Sequence, residues 1–135
     1  MSLDTTDEYL DSAQSHLGAA RFCFEHGRNG LAGSEAYFSM IASVNALLLA
    51  RDRSSRDSHS GVLNAVYLVF VDELGLLEKN AHSVMTDAKN WRRKWHYEGR
   101  VPPAAPTERF VSLAERCWAL AAEAWPTVDT TGPPR

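Results

Sequence analysis

The feature that most constrains this chain is the period of its apolar residues. Leu77, Ala81, Val84, Ala88, Trp91 and Trp95 follow one another in steps of four and three without a slip, which puts all six on one side of an α-helix and on no side of a strand. The same period recurs to either side. Leu10, Ala13, Leu17, Ala20 and Phe24 predict a first helix that starts at a Thr5–Glu8 capping box and stops at Gly27. After a loop holding Gly27, Gly30 and Gly33, read as turn and close-packing glycines, Tyr37, Met40, Ile41, Val44, Leu47 and Leu48 predict a second helix from about Ser34 to Arg51. Leu63, Val66, Tyr67, Phe70, Val71 and Leu74 predict a third, capped by Ser58 or Ser60 and interrupted at Gly75. The fourth carries the seam named first and ends near Tyr97 to Gly99. Pro102, Pro103 and Pro106 break the chain, and Thr107 caps a fifth that buries Phe110, Leu113, Ala114, Cys117, Ala121 and Ala124.

Strict alternation never persists, so the expected class is all-α. Short connections favour antiparallel neighbours, hence an up-and-down antiparallel bundle of four long helices with a fifth, C-terminal helix packed alongside. Residues 1–125 are expected to form a single domain and 126–135 a flexible tail. At 135 residues the chain buries roughly two-thirds of its unfolded surface, enough to fold without disulfides or a structural metal.

The hydrophobic share of 44% and charged share of 23% are those of a globular protein. The longest apolar run, Ala65 to Val71, is far short of the roughly 20 residues that cross a bilayer. The acidic start (Asp4, Asp7, Glu8, Asp11) lacks the basic and apolar parts of a secretion signal. A cytoplasmic protein without a membrane partner is expected, with Cys23 and Cys117 reduced and acting as small core residues. A net charge of −3 excludes a general polycation. Charge is concentrated instead: between Ala88 and Arg100, Lys89, Arg92, Arg93, Lys94 and Arg100 face only Glu98.

Several chemistries are missing from the sequence. No Glu-x-x-His pair suits a ferritin-like metal bundle, and His16, His26, His59, His82 and His96 are too scattered for a zinc motif. No P-loop and no Gly-x-Ser-x-Gly elbow occurs. Neither a metal nor a cofactor is expected.

One constellation carries chemistry. Trp91-Arg92-Arg93-Lys94-Trp95-His96-Tyr97 combines cations, an imidazole and three aromatics. Arg92 and His96 are four apart, so their Cβ atoms should lie about 5–6 Å from one another on one helix face. A guanidinium offers a planar donor fork to phosphate, and an imidazole exchanges a proton near neutral pH. Those are the two roles needed to cut RNA without metal: deprotonating a ribose 2′-hydroxyl and stabilising charge on the scissile phosphate. Lys89, Arg93 and Lys94 are the matching phosphate or nucleic-acid contacts. The structural alternative is that the cations satisfy the helix dipole and the Trp pair is core. His59, ahead of the third helix, reads as a loop-anchoring residue more readily than a catalytic one.

Three stretches resemble the HEPN family, the higher eukaryotes and prokaryotes nucleotide-binding helical bundle. Ser34 to Met40, continuing through Asn45 to Ala50, is similar to the family's second helix with its aromatic pair. Ser58-His59-Ser60-Gly61-Val62, with Val69-Phe70-Val71 and Gly75-Leu76, is similar to the start and end of its third. Arg92-x-x-x-His96-Tyr97 sits where the family keeps its Arg-containing motif. The resemblance implies either a toxin-type, metal-independent endoribonuclease with Arg and His meeting at a homodimer cleft, or a non-catalytic module that binds RNA, a nucleotide or a partner. In the second case the partner implied is a minimal nucleotidyltransferase-type antitoxin, and Tyr97 is the implied modification site. Two features depart from the nuclease pattern. Arg92 and His96 enclose three residues where the family usually has four to six, and Glu35 stands where one branch often has Arg.

Overall fold

The computed structural model describes residues 3–124, with side chains from Thr5 onward. The tail expected at 126–135 lies outside the described residues. Five helices build the fold: α1 (Leu3–Glu25), α2 (Asn29–Ala50), α3 (His59–Ala65), α4 (Ala81–Glu98) and α5 (Ala104–Ala124). A π-helical stretch, Val66–Glu73, continues α3 without a break. No strand occurs among the described residues, so the chain is all-α. No helix among them is long and apolar enough to cross a membrane.

The axis of the fold is α2. Its sequence lacks a polar face, with Ala32, Ala36, Tyr37, Met40, Val44, Leu47 and Leu48 buried alongside Ser39, Ser43 and Asn45. A helix apolar on all sides must be surrounded, and α2 is packed by α1, α3, α4 and α5. Small residues allow the close approach. Ser39 of α2 donates its hydroxyl to the Ala13 carbonyl of α1 at 2.8 Å, satisfying a group buried completely. Leu10, Leu17 and Ala20 of α1, Phe70 of the π-helical stretch, Met85 and Ala88 of α4, and Phe110, Ala114 and Cys117 of α5 close the core.

Several expected boundaries move. Thr5 and Glu8 lie inside α1, which is already helical at Leu3. α2 begins at Asn29, so Gly30 and Gly33 belong to its first turns and not to a loop. Gly30 is a contact glycine: a Cβ there would stand 2.5 Å from the Trp95 ring of α4. Leu77 is buried but precedes α4, which begins at Ala81. Thr107 does not cap α5. It is the helix's fourth residue, buried, with its hydroxyl donated back to the Pro103 carbonyl at 2.8 Å. Pro106 sits within the first turn, where no backbone N–H is required, so it opens the helix instead of breaking it. The third helix departs furthest from expectation. Val66–Glu73 is π-helical, closed at its end by an i→i+5 bond from Leu74 N–H to the Val69 carbonyl, and Tyr67 within it is 53% exposed while Val69 and Phe70 stay inside. The four long helices are therefore α1, α2, α4 and α5, and the third is the short one.

Candidate functional site

The residues of α4 sort onto three faces. Ala81, Met85 and Ala88 are buried, and Trp91 packs half-buried against the same core. Trp95, also half-buried, lies against Gly30. Lys89 and Arg92, three apart, face the start of α3. Arg93, Lys94 and Tyr97 turn outward and, with Asn90 and Glu98, line an open recess of about 430 Å³. Lys94 Nζ stands 4.5 Å from the Trp91 ring centre and the Arg100 guanidinium 5.7 Å from it, so part of the basic strip is spent on cation–π contact. Gly99, at φ +65°, ends the helix in the left-handed conformation open to glycine.

Arg92 leaves α4 and reaches over α2. Its guanidinium carbon lies 5.3 Å from the Phe38 ring centre and 5.8 Å from that of Tyr37. Its Nε is buried without a hydrogen-bond partner in the protein, as is the Tyr37 hydroxyl. No carboxylate pairs with Arg92 or Lys89 among the described residues. Glu35, one turn from Phe38 on α2, is engaged by Nδ1 of His16 on α1 at 2.5 Å, and the His16 ring lies 5.5 Å from Phe38. Burial raises the Tyr37 hydroxyl to about 12 despite the nearby guanidinium, so it remains protonated at neutral pH.

His59 completes this cluster. Its ring meets Tyr37 edge-on at 5.3 Å and Phe38 at 6.4 Å. Burial holds its pKa below the usual imidazole value, and the charges of Arg92 and Lys89 push the same way. Its position is set by the segment before it. Asn45, buried in α2, accepts from the Arg56 N–H at 2.8 Å and donates to the Arg56 carbonyl at 3.3 Å. Ser58 then caps α3 by accepting from the Gly61 N–H at 3.0 Å. Of the two residues read as possible caps, Ser58 fills the role.

The residues singled out in the sequence therefore divide. Arg92 and Lys89 are gathered with His59, while His96 is exposed and packs edge-on to Tyr97 at 4.8 Å. No hydrogen bond joins Arg92 to His96 among the described residues. Sequence spacing reports neighbours along one helix. His59 comes from another helix, and its local signals were its place just after a capping serine and the resemblance carried by the Ser58–Val62 stretch. Among the described residues, no group of three or more His, Cys, Asp or Glu could hold a metal ion.

No protein-family model matches the chain. Over 106 residues the chain is 30% identical to a protein of Methanocaldococcus jannaschii named as a candidate toxin, and the match covers 78% of each of the two chains. The chain belongs to that toxin-type family. The likeness spans most of both members, so it is one of whole domains and not of a short motif. Within this toxin-type chain, the three stretches singled out in the sequence lie in α2, from the start of α3 through the π-helical stretch to Leu76, and at the end of α4. Tyr37 and Phe38 from the first, His59 from the second and Arg92 from the third meet in the cluster described above.

Proposed function

We infer that this protein is a toxin of HEPN type that acts on RNA as a metal-independent endoribonuclease. The observation that carries the reading is Arg92: a guanidinium braced on two aromatic rings, with a buried donor unclaimed inside the protein and no carboxylate against it. Such a group is set to receive an oxyanion. Lys89, Arg93 and Lys94 supply further phosphate contacts along α4, and His96 is free in solvent to exchange a proton. In this mechanism the imidazole takes the proton of a ribose 2′-hydroxyl, the oxygen attacks the adjacent phosphorus, and the 5′-oxygen leaves and is protonated. Arg92 stabilises the charge that builds on the phosphate. Two protomers lining one cleft bring a second set of these residues to the strand. The toxin name of the relative supports the biological class; the chemistry rests on the residues.

The test is cleavage of RNA by purified protein in excess chelator. Products ending in 2′,3′-cyclic phosphate are expected, with loss of about 10²–10⁴-fold in rate for His96→Ala and a comparable loss for Arg92→Ala. No cleavage by the wild type, or undiminished cleavage by either variant, overturns the enzymatic reading. The separation of His96 from the Arg92 cluster favours a second reading, a module that binds RNA or a nucleotide without cutting it. That reading predicts salt-sensitive binding with no products.

A further inference from the structure

Arg92 carries more than a basic helix end requires. Its Nε is buried and unpartnered in the protein, and a buried donor without an acceptor costs free energy that an incoming oxyanion relieves. The imidazole beside it is that of His59, whose ring rests on Tyr37 and Phe38 at 5.3 and 6.4 Å, the same two rings that carry the guanidinium at 5.8 and 5.3 Å. Side chains from two separate helices thus contact the same pair of aromatic rings, supplied by a third. Glu35, which could have neutralised them, is engaged by His16.

We propose that Arg92 and His59 together form an oxyanion site on the Tyr37–Phe38 shelf, holding one phosphate group of an RNA strand. That the phosphate belongs to RNA rests on the function argued above, whereas the oxyanion site does not. Arg92 binds the phosphate oxygens through its fork, and His59 binds a further oxygen through a ring N–H. The groups facing His59 are Tyr37 and Phe38 from α2 and the cations Arg92 and Lys89 from α4. With the site empty, burial and both cations disfavour the imidazolium. A bound phosphodiester offsets part of the charge of the two cations, and a dianion such as sulfate offsets more of it, so anion binding and proton uptake at His59 are linked. His59 is in this role a binding and positioning residue, distinct from His96 as the proton acceptor.

The experiment follows the five histidine rings of the intact protein by NMR during pH titration, with and without sulfate, which stays dianionic throughout, and then with inorganic phosphate. The expected result is a rise of about one unit in the His59 pKa with little change at His26 and His82. The rise should disappear in Arg92→Gln and survive in part in Arg92→Lys, which keeps a charge at the position. A His59 pKa that ignores both anions, or an equal rise at all five histidines, overturns the site. Repeating the titration with a nucleoside monophosphate and with an uncleavable 2′-O-methyl oligoribonucleotide separates the two claims. A response to the oligoribonucleotide supports both. A response confined to the free anions and the monophosphate supports the site and contradicts RNA as its ligand.

Discussion

At the scale of single residues, the cluster on α2 is built by pairing most polar groups and leaving a few unpaired. Asn45 occupies both hydrogen-bonding groups of the Arg56 peptide and Glu35 is taken by His16, whereas Arg92 Nε and the Tyr37 hydroxyl have no partner in the protein. The lowered pKa of His59 has a consequence for stability. Protonating this ring is harder in the folded chain than in the unfolded one, first because of burial and then because of Arg92 and Lys89. The unfolded state therefore binds more protons between the folded pKa and the usual value near 6.5, and stability falls as pH drops through that window. Denaturant unfolding at a series of pH values should show His59→Gln losing stability less steeply than the wild type on acidification. Identical slopes would contradict a His59 pKa lowered in the folded chain.

At the scale of elements, α4 is positioned by its contact with the first turn of α2. The Trp95 ring occupies the space that a side chain at residue 30 would need, and the same helix carries Arg92 three residues earlier. Gly30→Ala should therefore destabilise the fold by about 1–3 kcal/mol through overpacking and shift α4 together with its basic residues. A thermal melt checks the first effect and Trp fluorescence the second; an unchanged melting temperature would contradict the contact. Much at this scale was legible in the sequence. The seams of α1 and α5 followed from the helical period, because each of those helices has one buried stripe, whereas in α4 only Ala81 and Ala88 of the expected seam are buried and Met85, outside it, is buried completely. Less was legible where another force overrode the period. α2 is buried on nearly every side, so its start could not be found from a stripe and Gly30 and Gly33 read as loop. The π-helical stretch Val66–Glu73 broke the phase of the third helix, and Tyr67 within it is exposed. The candidate site divided in the same way: Arg92 and its basic neighbours were visible as a local motif, but the link to His59 joins residues 33 positions apart and depends on how α3 meets α4.

At the scale of the whole molecule, an acidic chain of net charge −3 gathers four of its 14 Lys and Arg residues between Lys89 and Lys94 of α4 and braces one of them on the helix at its centre. Membership of a toxin-type family, shown over 78% of the chain, gives that arrangement a biological setting. What most needs testing is the proposal that Arg92 receives a phosphate of an RNA strand. The most direct measurement is the affinity of the intact protein for an uncleavable 2′-O-methyl oligoribonucleotide across a range of salt concentrations, for the wild type and for Arg92→Ala. The wild-type affinity should fall as salt rises, and removing one phosphate contact should weaken binding and flatten the slope of log affinity against log salt by about 0.7. Equal affinities and equal slopes for the two proteins would contradict the claim.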